Sequence, residues 1–114
     1  MVPVDRTMQR ENQVTPAEAF DMQRRGEAVE IIDVRETQEY RDTHVQPSRL
    51  IPLNQLPARL HELDRTRTLL MLCRSGSRSV HAARELATYG FETRNIAGGI
   101  LAWIAAGLPV RKGN

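Results

Sequence analysis

The sequence predicts an α/β domain: a mainly parallel sheet covered by helices on both faces. Three observations carry this. Apolar runs at 29–34, 50–53 and 69–73, and a further strand segment at 93–96, alternate with segments of helical pattern, the sequence form of successive βαβ units. The run Leu69-Leu70-Met71-Leu72-Cys73 is apolar throughout, as strands of doubly covered sheets are. The chain has 114 residues, enough for one core but not two.

The elements follow in order. Residues 1–12 read as a flexible lead, 13–110 as the domain and 111–114 as a C-terminal tail. Thr15-Pro16-Ala17-Glu18 is a capping box with proline at the first helical position, so a helix starts there. It is expected to reach Arg24-Arg25 and stop at Gly26, where a left-handed residue ends helices. Val29 to Val34 predicts a buried strand, Glu36 to Arg41 a short helix, and Leu50 to Leu53 a brief strand. A helix opened by Pro57 is expected over Leu56 to Leu63. The strand Leu69 to Cys73 leads to a helix over Ser79 to Tyr89, closed by Gly90. Thr93 to Ile96 is the next strand. Gly98-Gly99 then introduces a helix over Ile100 to Ala106, ended by Gly107 with Pro109 beyond.

Composition excludes several classes of function. The net charge is +2, and 15 Arg and one Lys are interleaved with 14 acids. There is neither a basic run nor a set of stacking aromatics, so nucleic acid is not an expected partner. No apolar stretch is long enough to span a bilayer, and Met1 to Gln13 lacks the apolar centre of a signal peptide. The expected location is the cytoplasm. A single cysteine makes no internal disulfide, which fits a reducing compartment.

That cysteine is the candidate nucleophile. Cys73 opens the stretch Cys73-Arg74-Ser75-Gly76-Ser77-Arg78-Ser79, between the end of a strand and the start of a helix. Open α/β sheets bind ligands outside the carboxyl ends of their strands. A helix N-terminus offers free N–H groups and a positive dipole end, which favour a negatively charged sulfur. Gly76 allows the backbone a left-handed turn, from which successive amides form an anion-binding nest. Arg74 and Arg78 at the same mouth point to an anionic substrate. Ser75, Ser77 and Ser79 offer hydroxyl donors, Ser79 alternatively serving as a helix cap. A cysteine phosphatase loop needs five residues between its Cys and its Arg. Here the arginine arrives one residue early, at 78, and position 79 is Ser, so a smaller cradle suited to one sulfur is expected.

Asp33 and Arg35 end the first long strand and are read as structural support of the site. Asp33 is expected to accept N–H bonds from the neighbouring loop, and Arg35 to pair with Glu39 four residues on. His44 is read as structural. Trp103 and Gly98-Gly99 are read as core packing and as a close approach of helix to strand.

These residues together resemble a known family. Asp33-Val34-Arg35 with Glu39-Tyr40, His44-Val45, the loop from Cys73 to Ser79, and Asn95-Ile96-Ala97-Gly98-Gly99-Ile100-Leu101-Ala102-Trp103 with Gly107-Leu108-Pro109-Val110 are similar to single-domain rhodanese, or thiosulfate sulfurtransferase-like, proteins. The resemblance implies a five-stranded parallel sheet with helices on both sides. It implies sulfane sulfur transfer from thiosulfate or a related donor through a persulfide on Cys73 to cyanide or a thiol, with no metal or organic cofactor. A sulfur carrier or sensing module serving a protein partner is the alternative it leaves. Where the family carries Gly-His-Ile-Pro-Gly-Ala, this chain has Thr43-His44-Val45-Gln46-Pro47-Ser48, so a different path is expected at that turn.

Overall fold

Five parallel strands, all hydrogen-bonded into one sheet, frame the molecule in a computed structural model that describes residues 12–113. The strands are β1 (Gln13–Val14), β2 (Val29–Asp33), β3 (Arg49–Leu50), β4 (Thr68–Leu72) and β5 (Thr93–Ile96), in the spatial order β1-β5-β4-β2-β3. The helices are α1 (Pro16–Arg24), α2 (Thr37–Asp42), α3 (Ser77–Thr88) and α4 (Gly99–Ala105), with a 3₁₀ stretch over Leu53–Glu62. Residues 1–11 of the expected lead lie outside the described residues, as does Asn114 of the expected tail. Arg111 forms an isolated antiparallel bridge with His44.

The period of two along β4 builds both halves of the core. Leu69, Met71 and Cys73 face one side, packed with Leu56, Ala82, Ala83, Leu86 and Phe91 from the 3₁₀ stretch, α3 and the turn after it. Leu70 and Leu72 face the other, with Ala19 of α1 and Ile100 and Trp103 of α4. Alternation therefore decides that the cysteine emerges on the α3 side of the sheet. Burying each of these Leu and Ile side chains contributes about 1.5–3 kcal/mol. Trp103 is buried edge-on to Phe20 and donates its indole N–H to the carbonyl of Pro109 at 2.9 Å, fixing the chain beyond α4. Among the described residues no helix is long and apolar enough to cross a membrane.

Local signals set most boundaries. The capping box at α1 forms as expected: Thr15 Oγ1 accepts the Glu18 N–H at 3.0 Å, and Glu18 Oε1 accepts the Thr15 N–H at 2.8 Å. Three expectations are corrected. The segment around Pro57 forms 3₁₀ turns over Leu53–Glu62 rather than a helix starting at Pro57; Pro57 sits inside it and Arg59 leaves helical geometry at φ −120°, ψ 19°. Proline has no N–H for a helical ladder, which keeps this stretch irregular. The strand expected over Leu50 to Leu53 shortens to Arg49–Leu50, because Pro52 has no N–H for the ladder. Helix α3 begins at Ser77, two residues before the expected start, because Gly76 at φ +107° is its N-cap. β1 carries no apolar period in its two residues. It is held by Asn95 N–H to the Asn12 carbonyl at 2.7 Å and Ala97 N–H to the Val14 carbonyl at 2.8 Å.

The strand order reverses beside β2. The chain crosses from β2 to β3 at the edge and returns to β4 on the other side of β2. The carboxyl ends of β2 and β4 then lie together, Asp33 in register with Leu72, at the switch point where open α/β sheets bind ligands. Helix α4 meets this end from the side of β5. Its first N–H groups, on Ile100 and Leu101, donate to the carbonyls of Cys73 at 2.8 Å and Arg74 at 3.1 Å.

This contact needs glycine at position 99. At φ +63°, a Cβ there would lie 2.4 Å from the carbonyl oxygens of both Cys73 and Arg74. The close approach read into Gly98-Gly99 is therefore made to the loop after β4. Gly99→Ala is expected to lower stability by about 3 kcal/mol or more. Gly107→Ala, at φ +76° with nothing within 4 Å, should cost only about 1–2 kcal/mol for the left-handed backbone. Urea unfolding of both variants measures the difference; equal losses would show that the loop contact carries no weight.

Candidate active site

Cys73 directly follows β4 and is 1% exposed. The chain then turns at Gly76 and enters α3. That turn aims two backbone N–H groups back at the sulfur: Gly76 N at 3.1 Å and Ser79 N at 3.3 Å from Sγ. Ser79 is the third residue of α3, and its N–H is one that an N-cap side chain ordinarily accepts. The N-cap here is glycine, without a side chain, so the cysteine sulfur takes that role. The helix N-terminus and the thiol complete each other.

The Ser79 side chain closes the cradle from below. Its hydroxyl lies 3.3 Å from Sγ, 3.2 Å from the Gly76 carbonyl, and within a short hydrogen bond of Asn95 Oδ1. Ser79 and Asn95 are both buried, at 0% and 2% exposure. The single proton of the Ser79 hydroxyl goes to Asn95 Oδ1 or the Gly76 carbonyl, with the oxygen held against the sulfur; it does not cap the helix. Asn95, on β5, was part of the sequence motif but was not read as a site residue. Its signal in the sequence is faint, one polar residue in a strand that also carries Thr93 and Arg94.

The remaining loop residues form the rim. Arg74, Ser75 and Ser77 are exposed. Among the described residues Arg74 has no ion-pair partner. Arg78 is different. Its Nη1 and Nη2 each donate at 2.8 Å to the two carboxylate oxygens of Glu39, a bidentate pair that joins α3 to α2 across the mouth. Glu39 Oε1 also accepts the Glu36 N–H at 2.9 Å. Hydrogen bonding to Arg78 lowers the Glu39 pKa to about 2, reinforced by the Glu36 N–H and by the charges of Arg78 and Arg35, against an opposing cost of burial. The same pairing raises the pKa of Arg78.

The expected Arg35–Glu39 ion pair is corrected by this geometry. Arg35 pairs with Asp33, at 2.8 Å between Nη2 and Oδ2, and both side chains are almost fully buried. Asp33 Oδ1 also accepts the Arg35 backbone N–H at 3.0 Å, the loop contact expected of it. The guanidinium then donates to the carbonyls of Thr43 at 2.7 Å and Glu39 at 3.3 Å. Two residues of separation let Asp33 and Arg35 meet at a strand end, where the chain has left the extended pleat. Arg35 thereby holds α2 by its carbonyls, α2 carries Glu39, and Glu39 holds Arg78. Removing one partner of such a buried pair costs about 3–5 kcal/mol.

His44 is buried, with Nδ1 3.0 Å from the Tyr40 carbonyl and its ring stacked on Tyr40 at 4.1 Å. Its backbone exchanges two 2.8 Å hydrogen bonds with Arg111. The turn after it places Val45 in the core and contains a cis Gln46–Pro47 bond. The Ser48 hydroxyl donates to the Val45 carbonyl at 2.6 Å. A cleft of about 560 Å³ lies at the other end of β2, lined by Val29, Glu30, Arg49 and Arg67 among others. Its arginines are paired with Glu30 and Asp64. Among the described residues no three His, Cys, Asp or Glu side chains are grouped to hold a metal ion.

Comparison with known proteins agrees with this architecture. Residues 15–106 match the rhodanese-like domain, and the chain belongs to that family. It is 33% identical over 85 residues to a sulfurtransferase of Allochromatium vinosum, covering 74% of this chain and 79% of that protein. It is 36% identical over 78 residues to the Bacillus subtilis protein YrkF, named for sulfur carriage, covering 68% of this chain and 42% of YrkF. The crystal structure of a rhodanese-related protein from Thermoplasma volcanium superposes with a TM-score of 0.82 at 28% identity, over 88% of this chain and 97% of that one.

The Glu39–Arg78 pair makes a specific demand on pH. Glu39 titrates near 2 in the folded chain against 4.5 for a free carboxyl. A depressed carboxyl contributes stability that is whole above the unfolded value and is lost as pH falls through the folded one. The stability difference between the wild type and Glu39→Gln should therefore be constant from about pH 8 to 5 and shrink between about 4.5 and 2. Denaturant unfolding at each pH measures it. A difference that does not change across that interval would mean that the pair does not stabilise the fold.

Proposed function

We propose that this chain is a sulfurtransferase that moves a sulfane sulfur through a persulfide on Cys73. The observation that supports it is the cradle itself: two N–H groups and one hydroxyl surround Sγ at 3.1–3.3 Å at the start of α3. The Cys73 thiolate attacks the outer sulfur of thiosulfate. A sulfur–sulfur bond forms to Cys73, the bond to the sulfonate sulfur breaks, and sulfite departs with that electron pair. The product Cys–S–S⁻ carries the same charge as the starting thiolate, so donors set for one anion also serve the other. Cyanide then takes the outer sulfur as thiocyanate, or a thiol takes it as a hydrodisulfide, and the thiolate is restored.

Arg74 and Arg78 are proposed to attract the anionic donor, with Ser75, Gly76, Ser77 and Ser79 forming the rest of the substrate cradle. Asp33 and Arg35 support the site from behind by holding α2. His44 has no part in the chemistry, because sulfite leaves without needing a proton. The chemistry calls for neither metal nor organic cofactor. Neither nucleic acid nor membrane is a partner in this reading, and the cytoplasm is the proposed location.

Likeness to a protein named for sulfur carriage favours a second reading, a carrier delivering sulfur to a protein. The chain has one cysteine, so no thiol within it can resolve the persulfide, and the acceptor comes from outside. The named role of YrkF is consistent with such an arrangement.

Intact-mass spectrometry tests the shared intermediate. Thiosulfate should add the mass of one sulfur atom per chain, cyanide should remove it, and Cys73→Ser should gain nothing. An unchanged mass in the wild type, or added sulfur on the serine variant, would contradict the assignment.

A further inference from the structure

We infer that Glu39 is a specificity-determining residue: by pairing with Arg78 it lowers the positive charge at the mouth of the Cys73 loop, so that singly charged sulfane donors are favoured over the thiosulfate dianion. This deepens the sulfur-transfer reading and rests on it for the identity of the donors.

Two arginines flank the nucleophile in sequence, which suggests a strongly cationic mouth. The structure alters that count. Arg78 gives one N–H from each terminal nitrogen to Glu39, at 2.8 Å and 2.8 Å, and its charge is matched locally. Arg35, the next cation, is matched by Asp33 in a buried pair. Glu36, at the start of α2, also faces Arg78 electrostatically. Arg74 is left as the loop cation without an ion-pair partner among the described residues, and it is exposed. With Glu36 counted beside Glu39, the charges of Arg74 and Arg78 are about balanced, next to a sulfur that is itself anionic when it reacts.

Glu39 is well placed to set this balance. It is 28% exposed and lies in α2, whose carbonyls are held by Arg35. Its carboxylate stays ionised across the neutral range, so it opposes Arg78 under any working condition. Electrostatic attraction scales with the charge on the ligand. A fixed anion at the mouth therefore penalises thiosulfate, with two charges, about twice as much in free energy as a donor with one. Donors of the second kind include an alkyl hydrodisulfide, R–S–S⁻. It loads the site by the same displacement: the thiolate attacks the outer sulfur, the disulfide bond breaks, and R–S⁻ leaves with the electron pair.

The test reads binding in a chain that cannot turn over. In a Cys73→Ser background, calorimetry would compare thiosulfate with methanethiosulfonate, in which a methyl group replaces one charged oxygen. Glu39→Gln keeps a side-chain acceptor for the Glu36 N–H and frees the charge of Arg78. It should tighten thiosulfate by roughly tenfold at low ionic strength and methanethiosulfonate by roughly threefold, both gains fading with salt. Arg78→Gln should weaken thiosulfate by a similar factor, and the double variant should return to the affinity of the parent. This ordering follows charge. If Glu39 merely held Arg78 in a binding pose, Glu39→Gln would weaken thiosulfate instead, and that result would overturn the inference. Equal effects on the two donors, or an Arg78→Gln chain that binds like the parent, would also overturn it. The sulfur-transfer reading fails on a different observation, the absence of a persulfide on wild-type Cys73.

Discussion

The fit between one sulfur atom and the first turn of one helix organises this molecule. A helix N-terminus leaves N–H groups without partners, and glycine at the N-cap provides no side chain to accept them. Cys73 Sγ fills that place for Ser79 and Gly76. The arrangement requires the short loop between Cys73 and Gly76 to hold one path. Its opening carbonyls are fixed by Ile100 and Leu101 at the start of α4, which reach them because Gly99 has no Cβ. Two helix N-termini therefore meet at this loop from opposite sides, one donating to the sulfur and the other to the backbone that carries it.

A second set of interactions works outward from β2. Burial of Asp33 and Arg35 is costly unless each is fully bonded, and here the guanidinium reaches both carboxylate oxygens and two carbonyls of the α2 region. The ion pair thus anchors an element that buries no residue of its own. Through Glu39 that element governs Arg78. The electrostatics of the mouth are set partly by residues distant from Cys73 in sequence, an effect that residue counts within the loop do not contain.

Much of this was legible before the structure. Apolar runs and glycine punctuation locate β2, β4, β5 and the helices near them, and Cys73 stands at a strand end because it closes the apolar run from Leu69. The Cys73–Ser79 stretch announced an anion cradle by its composition. What escaped has physical reasons. β1 is two residues long and is defined by its partner β5, so it has no period to detect. Pro57 marks a helix start in isolation, yet here it lies within 3₁₀ turns. Glu39 stands at helical spacing from Arg35, and that spacing rule pairs the two. The nearer Asp33 takes Arg35 instead, because both side chains are buried at the end of β2 while Glu39 faces α3. Asn95 escaped because its hydroxyl partner, Ser79, is brought to it only by the packing of α3 against β5.

The Gly76 and Ser79 amides hold the sulfur of Cys73. Proton–nitrogen correlation spectra of the labelled protein, recorded before and after a sulfane donor, test it directly. These two amide resonances should move together, and farther than others in α3, as the mass rises by one sulfur atom. A chain that gains the sulfur while both resonances stay in place would contradict it.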